Sequence, residues 1–229
     1  TNPESPLQVE LQFENTSSAS FIQQVDTIVR FFGVKQNALE SPILMGAIAN
    51  QDIVNIAGEV NYVIVAAPAY MEQAKKYQQF QEATFGRKTS VVNAKLLYNE
   101  FSGGQPSPIA IRNYLKYLSN RALQNKFKAP EYLLLIGMGN FNPKKMNIDF
   151  ELPVYENINS TSILSSFSSD DFFAILENND DINNYNAVKR LNIATGRIPA
   201  RTSAEADSVI NKLIYYQLNK SGGAWENKI

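Results

Sequence analysis

The chain has 229 residues, 44% of them hydrophobic and 19% charged, with 21 basic side chains against 22 acidic ones and a formal net charge of -1. That composition suits a globular protein with its own core; it lacks the basic excess of a nucleic-acid surface, and no apolar run reaches the roughly 20 residues of a membrane-spanning helix. There is no cysteine and no histidine, which excludes disulfides, a cysteine nucleophile, Ser-His-Asp and Cys-His arrangements and histidine-ligated zinc within these residues, while Ser-Lys pairs and paired carboxylates stay open.

The opening TNPESPLQVE reads as the interior of a longer chain. LQVELQF, residues 7–13, alternates apolar and polar side chains and predicts a half-buried strand. In 18–33, SASFIQQVDTIVRFFG, the residues Phe21, Ile22, Val25, Ile28, Val29 and Phe32 share one helical face and Gly33 is a natural stop. A helix is therefore expected, with an extended segment as the alternative because β-branched and aromatic residues are dense here. Residues 34–60 read as a connector.

From Asn61 the pattern changes. YVIVAA, 62–67, is a continuous apolar run of the kind that is covered on both faces. A helical pattern follows, closed by Gly86, and KTSVVN is a short strand. A second helix starts at Ser107 and Pro108, a cap followed by proline at the first helical position. EYLLLIGMG, 131–139, is another apolar strand. Alternation of strand and helix predicts right-handed crossovers and an α/β fold: a mostly parallel sheet with helices on both faces. Asn140 to Ser169 is a long polar segment holding ELPVYE and a serine-rich run. DDFFAIL is expected as a strand, NNDDINNYN as an acidic turn-rich loop, and LNIATG as a further buried strand. A final helix has Thr202 or Ser203 as cap, with Glu205 in the reciprocal position; Val209, Ile210, Leu213 and Ile214 are expected to face the core.

Several residues carry candidate chemistry. IGMGN, 136–140, could cradle an anion, but its glycine spacing does not fit a dinucleotide fingerprint, and a tight strand-end turn is the simpler reading. Asp180 and Asp181 offer oxygen ligands for calcium, although no full calcium-loop spacing surrounds them, and a solvated turn is the simpler reading. Asp170 begins an apolar segment beside a long loop; it could bind a substrate cation or orient a base, or simply cap a turn. Arg197 closes an apolar strand. It could grip a carboxylate or carbonyl of a substrate, or pair with the acidic residues of 170–181 and pin that loop. Asn99, Glu100 and Ser102 are read as shaping a turn.

Taken together, NYVIVAAPAYMEQAKKYQQFQ, VVNAKLLYNEFSGGQPSPIAIRNYLKYL, EYLLLIGMGNF, ELPVYE, SSDDFFAIL, IATGRIPARTSAEADSVINKLIYY and GGAWENKI resemble the gingipain-type cysteine peptidases, peptidase family C25. Within that family the likeness is to the sortase-like branch of the type IX secretion system. It runs from about Ala49 to the end, so the expected division is 1–48, the end of a preceding domain or linker, and 49–229, the N-terminal part of the peptidase domain. The resemblance implies a caspase-like α/β architecture, truncated before the catalytic half. It also implies a catalytic histidine and cysteine beyond the segment matched by Ala224, Trp225 and Glu226, so that this chain carries no catalytic residue and should be inactive alone. Asp170, Asp171 and Arg197 are carried as site-lining candidates, and Asp180 and Asp181 as calcium candidates. Met138 and Asn142 depart from the family pattern, which has aspartates there. The implied partners are the remaining catalytic half, secreted protein substrates and other outer-membrane secretion components, with no nucleic acid; the implied location is the cell surface, associated with the outer membrane. The competing readings are a non-catalytic α/β binding or scaffold module, and a nucleotide-binding enzyme if IGMGN holds phosphate.

Overall fold

The structure, a computed structural model, describes residues 9–15, 18–26, 29–41, 43–44, 46–55, 58–159, 161–184, 190–219 and 223. Contacts divide the chain into two units, Thr1–Ala49 and Asn50–Ile229. In the first, strand β1 (Gln12–Phe13) pairs antiparallel with β2 (Ala19–Ser20). The helix expected over 18–33 is not formed at any described position; 27 and 28 lie outside them. Its apolar residues gain little cover: Ile22 is 98% exposed and Phe32 86%, and Phe21 meets Phe31 with ring centroids 5.0 Å apart. A helix gains most of its stability by burying an apolar face, and without that gain β-branched and aromatic residues favour extended backbone.

In the second unit a four-stranded sheet has the order β10-β5-β3-β4, all parallel. Its strands are β3 (Tyr62–Ala66), β4 (Thr89–Asn93), β5 (Tyr132–Ile136) and β10 (Ala194–Ile198). Register places Val63, Leu133 and Thr195 side by side, then Val65, Leu135 and Arg197. Period-two alternation puts both rows on one face of the sheet. Helices α2 (Ala94–Phe101) and α3 (Pro108–Asn125) pack together, and Tyr114 of α3 meets Ser90 of β4 on that face. On the opposite face α1 (Met71–Phe85) sets Tyr77 against Tyr62 and packs along α4 (Ser203–Leu218). Two layers of helix over a parallel sheet bury the continuous apolar runs completely: Val63, Ile64, Val65, Ala66, Leu135 and Ile136 have no exposed surface.

Helix ends follow the local chemistry. Gly86 ends α1 with a left-handed φ of 62°, Ser107 Oγ accepts from Ile109 N–H at the start of α3, and Thr202 Oγ1 accepts from Glu205 N–H at the start of α4. Glu205 in return accepts from Arg201 N–H. Helix α2 had no counterpart in the sequence reading, which took Asn99, Glu100 and Ser102 as a turn; Asn93 caps it through a bond from Lys95 N–H. Asn99 and Glu100 lie in its last turn, and Ser102 closes it by donating to Tyr98 O.

Three further expectations change. Asp171–Ala174 is a 3-10 turn, not a strand; Phe173 N–H closes it onto Asp170 O, which buries Phe173 and Ala174 against α3 and β10. β10 is an edge strand rather than a buried one, with Ala194 and Gly196 exposed. Val209 on α4 is 38% exposed, and Ala206 and Ile210 take the core side. Both changes on β10 and α4 have one source: among the described residues no strand flanks β10 on its outer side. Among them, too, no helix is long and apolar enough to cross a membrane.

A clamp at the carboxyl end of the sheet as the candidate functional site

In open parallel sheets ligands gather outside the carboxyl ends of the strands, where the strand order reverses. Here that point lies between β3 and β5, because β4 follows on one side of β3 and β5 on the other. The chain leaves β5 through Gly137, whose φ of 148° favours glycine. It then forms β6 (Met138–Asn140), paired parallel with β7 (Glu151–Pro153). A side chain at Gly137 would lie 3.1 Å from both Leu152 Cγ and Phe150 O, and one at Gly139 would come within 2.7 Å of Val154 Cγ1. The glycines of IGMGN therefore admit β7 against the sheet end, where fully buried Leu152 packs on Gly137.

Beyond β7, strands β8 (Tyr155–Glu156) and β9 (Ser168–Ser169) form an antiparallel hairpin, and the chain reaches Asp170. Arg197, on the edge strand, meets it. Its Nε and Nη2 donate to the two Asp170 carboxylate oxygens, each at 2.7 Å. Nη1 also donates to Gly137 O and Nη2 to Pro153 O, both at 3.3 Å. The Arg197 side chain is 10% exposed. One guanidinium thus ties together the end of β5, the end of β7 and the turn after β9. A desolvated guanidinium is stable only with such partners, and its planar fork fits a carboxylate in a bidentate way. Gly139 sits against this fork, since a Cβ there would be 4.0 Å from Arg197 Cζ.

Around the clamp the polar groups are sparse. The Tyr98 hydroxyl of α2 is buried and has no protein hydrogen-bond partner. Burial pushes its pKa well up, and the charge of Arg197 pulls the other way. Tyr155 stacks on Phe172 with ring centroids 4.3 Å apart, and Arg112 of α3 places its guanidinium 5.3 Å over Phe172 while Nε donates to Ile175 O. Burial lowers the Arg112 pKa, and the Asp180 carboxylate opposes that shift.

The structure therefore brings Asp170 and Arg197 into direct contact. Asp171 is exposed beside them, its N–H bonded to Ser169 Oγ. Asp180 and Asp181, the calcium candidates of the sequence, lie in the loop that follows the 3-10 turn. Asp181 Oδ1 accepts from Asn183 N–H and its side-chain amide, and Asp180 sits in the field of Arg112. Among the described residues no group of three or more carboxylate, histidine or cysteine side chains could hold a metal ion, where calcium takes six to eight oxygens. An open cleft of about 460 Å³ lies between β10 and α4, lined by Ile198, Pro199, Ala200, Ala204, Glu205 and Val209; none of the sequence candidates lines it. Reasoning from sequence missed the carbonyl partners of Arg197. The signal was present in the two glycines of IGMGN, which mark close backbone approach.

These features define an α/β domain of gingipain-type architecture, with a parallel sheet between helical layers. The chain belongs to peptidase family C25, whose family model matches residues 56–229. It is similar to dimeric latent PorU from Porphyromonas gingivalis, a crystal structure, at 29% identity and a TM-score of 0.60, over 73% of this chain and 16% of that one. A second solved structure, described as a protease, matches at 17% identity and a TM-score of 0.47, over 68% of this chain and 28% of that chain. No curated protein matches the chain. It therefore corresponds to a small part of the PorU chain.

Proposed function

We propose that this chain is the N-terminal lobe of a gingipain-like cysteine peptidase of the PorU kind, which processes the C-terminal sorting signals of proteins exported by a type IX secretion system at the outer-membrane surface. The observation that carries the proposal is the family C25 match over 56–229 together with 29% identity to PorU. With no cysteine and no histidine among 229 residues, the lobe supplies scaffold and the reacting thiolate and imidazole come from the remaining catalytic half. In the assembled enzyme the thiolate attacks a peptide carbonyl and expels the amine, forming an acyl-enzyme thioester. Water or a second amine then releases it, giving hydrolysis or transpeptidation. Secreted substrates and outer-membrane secretion components are the proposed partners.

Assaying this chain and a longer product of the same reading frame on peptide substrates tests the assignment. Turnover is expected only from the longer protein, and turnover by the 229 residues alone would overturn it. The missing thiol and imidazole also favour a second reading, a non-catalytic α/β binding module. That reading wins if no cysteine and histidine follow in the parent reading frame.

A further inference from the structure

Independently of the peptidase reading, we infer that the amino end of the four-stranded sheet, opposite the Arg197 clamp, is a docking face for a bilayer that carries anionic phosphate headgroups. A parallel crossover returns the chain to the end where the next strand starts. Helix α1 therefore finishes there at Gly86, ahead of β4, and α3 at Lys126, ahead of β5. Asn61, at the foot of β3, ties the two returns together. Its Oδ1 accepts from Lys88 N–H, its N–H donates to Lys88 O, and its carbonyl accepts from Glu131 N–H. Arg121 Nη2 donates to Gly58 O in the segment that leads into β3. Arg87, Lys88, Arg121, Lys126 and Lys128 thus gather at one end of the sheet, with Glu59, Glu82 and Glu131 as the acidic residues among them, while the whole chain has a net charge of -1.

Helix capping accounts for only part of this charge. Cations complement the carbonyl end of a helix, but here the backbone closes both ends: Gly86 N–H donates to Glu82 O, Lys126 N–H to Leu123 O and Phe127 N–H to Ala122 O. The two guanidiniums are spent within the fold. Arg87 lies 4.6 Å from the Tyr132 ring centroid and 5.0 Å from that of Phe85, and Arg121 lies over Phe127. Lys88, Lys126 and Lys128 are exposed, and none of them forms an ion pair among the described residues. Exposed apolar side chains accompany them in the chain: Phe85 at 44%, Leu123 at 77% and Phe127 at 38%. Ammonium groups interleaved with aromatic and aliphatic side chains suit a surface with phosphate outside and hydrocarbon beneath. The lysines reach the headgroups while the apolar groups enter the acyl boundary. Shape favours a bilayer over an acidic peptide. The recess on this face, lined by Gly58, Val60, Leu118, Arg121, Phe127 and Lys128, offers about 10 Å³, too little for the side chain that would anchor a peptide.

Co-sedimentation of the 229-residue chain with phosphatidylcholine vesicles, with and without about 30% phosphatidylglycerol, tests this. Binding is expected only to the anionic vesicles. It should weaken about tenfold when salt rises from about 0.1 M to about 1 M, which shrinks the Debye length from about 10 Å to about 3 Å. K88E/K126E/K128E, with an unchanged circular dichroism spectrum, should abolish it, and K88R/K126R/K128R should retain it. L123S should lower the partitioning several-fold without altering charge, because Leu123 is exposed and enters only hydrocarbon. I163S/L164S, which changes the exposed aliphatic pair between β8 and β9, should bind as the parent does. A chain that ignores the anionic vesicles, or whose binding survives the charge reversal, overturns the proposal. So does binding to polyaspartate that is as tight as binding to vesicles and indifferent to L123S, which would make the face a site for acidic protein. Loss of vesicle binding in I163S/L164S overturns it too, since the lipid contact would then lie at the other end of the sheet.

Discussion

Arg197 and Asp170, 27 residues apart in the chain, form a bidentate pair with both N–O distances at 2.7 Å. The pair does more than join two charges. The same guanidinium donates to Gly137 O and Pro153 O, so it holds β5, β7 and the turn after β9 in a single arrangement. Its partners come from three separate segments of the chain.

Arg197→Ala is expected to lower the unfolding free energy by about 2–4 kcal/mol, because it leaves a half-buried carboxylate and two carbonyls without their donor. Arg197→Lys should recover only a small part, since an ammonium cannot reproduce the fork. Urea denaturation measures both. A double-mutant cycle with Asp170→Ala should show strong coupling; additive losses would mean that the pair is incidental.

Gly139→Ala places a methyl group 2.7 Å from Val154 Cγ1, closer than any relaxed contact. A loss of about 1–3 kcal/mol is expected from this overpacking. Val154→Ala should relieve it, so the double variant should be more stable than Gly139→Ala alone. Thermal unfolding of the three variants decides the matter, and a neutral Gly139→Ala would show that β6 and β7 can separate freely.

Burial raises several tyrosine hydroxyls of the core. That of Tyr114 is pushed up to about 12, first by burial, and those of Tyr62 and Tyr98 are raised further, again mainly by burial. An unfolded tyrosine titrates near pH ~10. A folded value above that means the neutral form is favoured in the fold. The associated stability is whole below pH ~10 and is lost as pH rises toward the folded value of about 12. Tyrosinate absorbance should therefore grow in two stages, exposed rings first and buried rings together with loss of near-ultraviolet circular dichroism. A smooth single-stage titration with the fold intact would contradict the packing described for Tyr114.

Much of this architecture could be read along the chain. The runs YVIVAA and YLLLI are too continuously apolar for an exposed sheet, and Ser107–Pro108, Gly86 and Thr202–Glu205 mark helix ends through local hydrogen-bond chemistry that depends on few neighbours. Helix α2 was hidden because it follows β4 directly, with only Asn93 as signal. DDFFAIL looked like a strand because apolar content alone does not distinguish a strand from a buried 3-10 turn. The helix expected over 18–33 failed for want of a surface to bury its face.

What residue order determined by itself is the local part: which segments are apolar enough to be covered, where backbone donors find caps, and that no thiol or imidazole is available among these residues. Tertiary structure alone decided which of those segments lie at an edge, why Val209 and Gly196 face outward, and which oxygens Arg197 would find. Caps and periodicity arise from groups a few residues apart. A buried guanidinium draws its partners from wherever folding brings carbonyls and carboxylates within about 3 Å, a distance that no sequence spacing encodes.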